Sequence, residues 1–397
     1  MYHLRLFSAG LPGCLPALTG LDPKECRMVD AQQPNTSSQR VISVDALRGF
    51  DMFWIVGGGT IFASLHKIFN CPTTAWIQTQ LQHVEWEGFR FEDLIMPLFM
   101  FIVGVVMPFS FEKRIQRGDK SYRLYFHIIK RTVILFILGM IAQGNLLKYD
   151  LSQLHIYCNT LQAIAAGYLI ASIIYLNFKL IGRIFATVAL LLSFWALMAL
   201  VTVPEHGAGC LTQDGNLAIY LDKLILGRFQ DQTTYTWILS SITFAGTVML
   251  GVFGGQLLRS QMRNGTKVLL LSVLGLVSIV LGLAWHMWFP VIKHIWTSSF
   301  VLYSGGLCYL LLAAFYLVID VWGFKKWAFG FVVIGSNAIA VYMATHLFNF
   351  NNWGDIFLQP LYQYMGAWDD FVRALAGFVI IWLILSWMYR KKSFIKI

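Results

Sequence analysis

A chain of 397 residues that is 57% hydrophobic, 13% charged and +0.62 in mean hydropathy carries about half the charge of a soluble domain, where about 25% is usual. That excludes a water-soluble enzyme, and it excludes disorder, which needs low hydrophobicity and high net charge. The net charge of +10 does not mark a nucleic-acid binder, because it follows the loops between long apolar runs.

Residues 1–39 stand apart from the rest. They mix polarity, hold Cys14 and Cys26, lack an apolar stretch followed by a small-residue cleavage site, and end in a polar run. The expectation is a disordered tail, or an upstream extension with the biological start at Met28. Residues 40–397 read as a single transmembrane domain. Ten stretches of about 20 mostly apolar residues follow one another, at 42–66, 93–111, 124–146, 159–178, 183–203, 237–258, 268–287, 297–319, 327–347 and 370–390. They are continuous rather than alternating, which excludes a membrane β-barrel. The fold class is all-α, a polytopic membrane protein of about ten transmembrane helices.

With the N-terminus inside, the inside segments collect Lys113, Arg114, Arg117, Lys120, Arg123, Lys179, Arg183, Arg259, Arg263, Lys267, Lys325, Lys326, Arg390, Lys391, Lys392 and Lys396. The outside loops hold only Lys67, Arg90, Lys148, Lys223, Arg228, Lys293 and Arg373. The positive-inside rule therefore puts both termini in the cytoplasm. Cys71, Cys158 and Cys210 fall near the outer face and Cys308 in a span. None forms a CxxC, so zinc and dithiol chemistry lack support and no metal is expected.

Polar residues within spans are the next signal, because their insertion is unfavourable. Asp45 and Arg48 share one face of the first span, and the plainer reading is a self-neutralised pair near the interface. The same span runs into Gly57, Gly58 and Gly59, which permit an unwound turn beside a cavity. The stretch His83-Val-Glu-Trp86-Glu87-Gly-Phe-Arg-Phe-Glu-Asp93 then crowds polar groups onto the outer boundary of the second span. Two readings are open there. One is an interfacial anchor with Asp93 as a helix cap, and the other is a histidine that accepts protons or attacks as a nucleophile. Asn159, Gln162, Asn337 and His346 read first as interhelical hydrogen-bonding groups. Trp285, Trp288 and Trp296, with Lys293 and Ser298, form an aromatic belt or a platform for a sugar ring.

Five elements in order resemble one family. They are Ser-Val-Asp45-Ala-Leu-Arg48-Gly49-Phe-Asp51, His83-x-x-Trp86-x-Gly88 leading into Asp93-Leu-Ile-Met-Pro97, Leu161-Gln162-x-Ile164-Ala165, Tyr220-Leu-Asp222, and Trp296-Thr-Ser-Ser-Phe300. Together they look like the heparan-α-glucosaminide N-acetyltransferases, bacterial members included, from residue 40 to the C-terminus. The resemblance implies a multi-pass enzyme of the bacterial inner membrane. Such an enzyme takes an acetyl group from cytoplasmic acetyl-CoA and delivers it to the amino group of a glucosamine-type acceptor on the periplasmic side. It also implies His83 as the catalytic residue, and it suggests a homodimer. Candidate substrate contacts are Asp45, Arg48, Trp86, Glu87, Asp93, Gln162, Trp296, Ser298 and Asn337. Arg114, Lys130, Arg131 and Arg259 are candidates to hold the donor's phosphates at the inner mouth, although positive-inside topology explains them equally. Two positions depart from the family pattern. Glu87 replaces the usual Asn after the Trp, and the Asn late in the first span falls within the triple glycine.

Chemically, His83 could act as the base that frees the acceptor amine, or could carry the acetyl group itself. Donor and histidine lie on opposite sides of about 30 Å of hydrocarbon, so the donor's arm must enter the bundle. Other classes also fit the spans: a transporter of sugars or lipid-linked sugars, and an O-acetyltransferase of a surface polysaccharide.

Overall fold

The computed structural model describes residues 41–395, so the expected tail and Lys396 lie outside the described residues. The first span, Ile42–Phe69, is built of α1 (Ile42–Phe53), a π-turn (Trp54–Gly58) and α2 (Gly59–Phe69). A short helix α3 (Pro72–Gln80) and an irregular segment lead to α4 (Glu92–Gln116). Next come α5 (Ser121–Ala142), α6 (Thr160–Asn177) and α7 (Leu180–Leu200). A cap follows, made of the antiparallel pair β1 (Thr202–Val203) and β2 (Gly207–Ala208) and of α8 (Leu217–Leu226). Then come α9 (Ser241–Arg259), α10 (Asn264–His286) and α11 (Ser298–Phe315), the last prolonged by a π-turn (Tyr316–Val321). The helices α12 (Phe329–Gly335) and α13 (Ala338–Leu347) meet at a 73° bend, and α14 (Phe350–Met365) leads to α15 (Asp369–Arg390). Among the described residues nine helices are long and apolar enough to cross a membrane, and the bent pair makes a tenth. The fold is all-α, with one span for each apolar stretch of the sequence.

The bundle has a centre and a rim. In α4 and α9, 72% of the membrane-crossing segment is buried, against 22%, 17% and 22% in α5, α7 and α10. The central pair touches backbone to backbone. A Cβ on Gly104 would lie 2.0 Å from the Val248 carbonyl, and one on Gly251 would lie 2.0 Å from the Phe101 carbonyl. Small residues permit this approach, and dispersion across it drives association where lipid tails remove the hydrophobic contrast. The rim helices turn Phe126, Ile129, Val133, Ile181, Phe185, Leu269, Leu276 and Val280 outward. An apolar outside is stable only against lipid, so the chain is a multi-pass membrane protein.

The triple glycine adopts the irregular turn its composition permits. Gly57, at φ +156°, interrupts the first span inside the π-turn. At the end of the bundle that carries His83, a second apolar cluster joins Phe194, Met198, Leu217, Phe289, Ile292 and Ile295, with Trp86 packed against it. Asp222 on α8 is fully buried and accepts the N–H groups of Trp237 (2.7 Å) and Ile238 (3.0 Å), which fixes the approach to α9. Burial pushes its carboxyl up to about 6, against the pull of those two hydrogen bonds. Cys71, Cys158, Cys210 and Cys308 are all free thiols.

Candidate active site

The segment between α3 and α4 places His83. Gly88, at φ +122°, donates its N–H to the Val291 carbonyl (2.9 Å), and Glu87 pairs with Ile292 as an isolated bridge. These contacts fasten the histidine segment to the segment before α11. Arg90 Nη1 holds the His83 carbonyl at 3.1 Å. Asp93, 1% exposed at the start of α4, divides its two oxygens. Oδ2 accepts the N–H groups of Arg90 (3.0 Å) and Val84 (3.4 Å), while Oδ1 lies 3.0 Å from His83 Nδ1. Asp93 therefore caps no N–H of α4: Oδ2 closes the segment before the helix, and Oδ1 faces the histidine.

A third group completes the cluster. Lys293 Nζ lies 3.3 Å from Asp93 Oδ1 and 3.1 Å from His83 Nδ1, with its side chain 7% exposed. Burial pulls its pKa below the usual lysine value, and the Asp93 carboxylate works in the opposite direction. An Nδ1–H on His83 lets both nitrogen donors converge on Asp93 Oδ1, and this tautomer leaves the Nε2 lone pair for chemistry. Lys293 was counted in the sequence only as one outer-loop cation. Its signal was a lysine enclosed by Val291, Ile292 and Ile295, an apolar setting that an exposed loop does not need.

His83 and Lys293 line a cavity of about 320 Å³ together with Ile55, Glu92, Ile95, Met96, Gln143, Cys158, Thr160, Asp231, Thr233, Tyr235 and Trp237. Glu92 and Asp231 give it acidic walls suited to an ammonium group. Asp231 is held by Thr233 Oγ1 (3.0 Å) and Trp237 Nε1 (3.2 Å). Burial raises Cys158 to about 12, so its thiol stays protonated and is no rival nucleophile. Tyr235 is pushed up to about 12 by burial and by the charges of Asp93 and Glu92. His294, stacked on Tyr235 at 4.2 Å, is pressed down to about 4 by burial and by Lys293.

The other predicted residues lie around this cavity or away from it. Trp86 donates Nε1 to the Leu211 carbonyl (2.9 Å) and anchors the segment to the cap. Glu87 turns to His286, 3.8 Å away, rather than to His83. Gln162 spends its amide on the start of α6: Oε1 accepts from Cys158 and Asn159 (2.9 and 3.1 Å), so it positions the cavity residues Cys158 and Thr160. Trp296 is neither belt nor platform. It is 2% exposed, and at φ +53° its turn carries the indole inward, edge-on to Phe244 and Phe300, with Nε1 on Thr247 (2.9 Å). Ser298 ties α11 to the Leu191 carbonyl (2.7 Å). Asn337 lies at the bend between α12 and α13, where it bonds Ser393 and Ile395. Asp45 and Arg48 pair at 3.9 Å near the start of α1.

Of the predicted phosphate ligands, Arg114 pairs with Asp119 (3.5 Å) and Lys130 is exposed on α5. Arg131 instead points into the bundle, 4.5 Å over the Tyr168 ring. Arg183, which the site reading missed, lies 3.9 Å over the Tyr175 ring, and Phe111 stacks on both tyrosines. Arg259 bonds the Pro108 carbonyl (3.2 Å) and Glu112 (3.4 Å) beside Tyr175. Among the described residues, the buried Nε atoms of Arg131 and Arg183 have no hydrogen-bond partner. Arg131 stands ten residues into α5, about 15 Å along its axis. An arginine at that depth is a functional signal.

Comparison with known proteins agrees with the motifs. The mouse (Mus musculus) and human (Homo sapiens) heparan-alpha-glucosaminide N-acetyltransferases are each 24% identical to this chain, over 92% and 90% of it and over 62% and 60% of their own lengths. The chain thus spans about three fifths of those relatives. The sequence model described as "Heparan-alpha-glucosaminide N-acetyltransferase, catalytic" matches residues 40–284, a range that holds His83 and Asp93 and ends before Lys293. By that match the chain belongs to the heparan-alpha-glucosaminide N-acetyltransferase catalytic family.

Proposed function

We propose that the chain is a membrane-embedded acyltransferase that moves an acetyl group from acetyl-CoA to the amino group of a glucosamine-type sugar. The observation that carries this reading is a histidine whose Nδ1 is held by buried Asp93, itself paired with Lys293, at the wall of a cavity with two further carboxylates. A sugar ammonium is drawn by Glu92 and Asp231 but has no lone pair with which to attack. His83 Nε2 takes one proton from it, a contribution of about 10²- to 10⁴-fold for a placed base. The amine then attacks the thioester carbonyl, the C–S bond breaks, and CoA leaves as the thiol. One proton is released per turnover. Asp93 fixes the ring, and Lys293 Nζ offers a positive charge to the carbonyl oxygen as it becomes anionic.

The donor is proposed to reach this point from the opposite end of the bundle, which the Lys and Arg distribution assigns to the cytoplasm. Arg183, Arg259 and Arg131 ascend along Tyr175, Phe111 and Tyr168, and suit the phosphates and the adenine of CoA. The acceptor then arrives from the far side, the periplasm of a bacterial cell. Purified protein in detergent with labelled acetyl-CoA and glucosamine tests the reading. Acetylated sugar is expected from the wild type and is expected to vanish in His83→Ala; no product, or equal product from both, overturns it.

A further inference from the structure

A second cavity, of about 470 Å³, lies across Ile55 from the His83 cavity. Ile55 lines both, so the two cavities adjoin at that residue. The second cavity is walled by the π-turn at Gly57, by Thr60 on α2, by Thr345 and His346 at the end of α13, and by Ala374 on α15. Among the described residues, no Asp, Glu, Lys or Arg lines it. Its polar groups are hydroxyls, an amide and an imidazole. Thr345 Oγ1 donates to the Tyr342 carbonyl (2.9 Å), and His346 Nδ1 lies 2.9 Å from the same oxygen. That leaves the threonine lone pairs and His346 Nε2 as acceptors.

The two spaces share a hydrogen-bonded wall. The His346 ring stacks on Tyr342 at 4.3 Å, and Asn159 Nδ2 donates to Tyr342 Oη (3.1 Å) and also to Gln143, which lines the His83 cavity. A cavity near 320 Å³ is at the small end of ligand sites, which span about 300–1,000 Å³, and suits one sugar ring. A glucosaminide carries a further group on its anomeric carbon, and that group must leave the small cavity somewhere.

We propose that the second cavity is a subsite for an uncharged, hydroxylated group, a neutral sugar, joined to the amino sugar that reacts at His83. The proposal rests on the acetyltransferase reading and deepens it, because the acceptor becomes a disaccharide or longer. A uronic acid or a phosphate in this position would bring a charge into a cavity whose described lining has no lysine or arginine to pair it. A sugar's hydroxyls match acceptors on Thr60, Thr345 and His346, and its apolar ring face matches Ile55 and Ala374.

The test compares kcat/KM, with acetyl-CoA as donor and the full-length protein in detergent, for methyl glucosaminide, glucosaminyl-glucose and glucosaminyl-glucuronic acid. The wild type is expected to prefer the neutral disaccharide over both others by about 10-fold, the worth of one or two net hydrogen bonds. Thr60→Trp, which fills the cavity from an exposed position, is expected to bring the preference over the methyl glycoside close to one, and Thr60→Ser to keep it. The wild-type comparison needs no variant to fold. Equal values for the neutral disaccharide and the methyl glycoside, a preference for the uronate, or a Thr60→Trp protein with the wild-type ratio would each overturn the subsite alone. Failure of the wild type to acetylate any of the three overturns the acetyltransferase reading and the subsite with it.

Discussion

Lys293 Nζ sits 3.3 Å from Asp93 Oδ1, and the two side chains are 7% and 1% exposed. Removing one member of so buried a pair strands the other, at a cost of about 3–5 kcal/mol, whereas removing both strands neither. Lys293→Met and Asp93→Asn are each expected to lower the unfolding temperature in detergent, and the double variant to recover part of the loss. Activity follows a different rule under the proposed mechanism, in which Asp93 Oδ1, 3.0 Å from Nδ1, holds the tautomer of His83. The double variant is expected to stay about 10²- to 10⁴-fold below wild type, the range of a misplaced base. Strictly additive stability losses would show that the two charges are not coupled.

Asp222 gives a pH dependence with a defined sign. Its carboxyl is raised to about 6 in the folded protein, above the unfolded value of about 3.9. The folded state therefore binds this proton more tightly. Its contribution to stability is fully present below pH 4 and is lost as the pH rises through 6. Wild type compared with Asp222→Asn is expected to lose unfolding temperature steadily between pH 4 and 7. A difference that is flat, or that grows with pH, contradicts the burial argument.

Much of this molecule is legible in one dimension, because a bilayer imposes a length and an apolar composition on every span. Even the broken ninth span registers as one apolar stretch, although nothing in its hydropathy foretells a 73° bend at Asn337. His83 and Asp93 are ten residues apart and share a motif. Lys293 lies 210 positions from His83, and only the folded backbone brings them together. Trp296 misled for a local reason: its positive φ turns inward an indole that composition would leave at the interface. Arg183 was legible as an inside charge but not as a neighbour of Tyr175, because that place depends on how α6 and α7 meet.

The three consecutive glycines are expected to respond differently to alanine. Gly57 has room for a methyl group, its nearest neighbour being Phe378 at 3.7 Å, but sits at φ +156°, so Gly57→Ala strains the backbone by about 1–3 kcal/mol. Gly58→Ala meets the Phe53 ring at 2.4 Å and must displace it. Gly59 is helical at φ −54° with nothing closer than 3.6 Å, so its alanine variant is expected to be neutral or stabilising by up to about 1 kcal/mol. Unfolding temperatures in one detergent give the order. A Gly57→Ala protein as stable as Gly59→Ala would remove the π-turn from the argument.

The arginine column predicts a separation between donor and acceptor kinetics. Arg131 and Arg183 stand over tyrosine rings with buried Nε atoms unpaired, whereas Arg114 is paired with Asp119 and Lys130 faces outward. A hydrogen bond to a charged group contributes about 1.5–3 kcal/mol, so losing one such contact to a phosphate raises KM by about 10- to 150-fold. Arg131→Ala and Arg183→Ala are expected to raise the KM for acetyl-CoA within that range while leaving the KM for the amino sugar near wild type. Arg114→Ala and Lys130→Ala are expected to change neither by more than about threefold, as exposed or already paired charges contribute little. Acetyl-dephospho-CoA refines the comparison. It lacks the 3′-phosphate, so whichever arginine serves that group shows no further loss on this donor, while the others keep theirs. Equal effects of all four substitutions on the acetyl-CoA KM would mean that general attraction to a basic face, and not the Arg131–Tyr168 and Arg183–Tyr175 pairs, receives the donor.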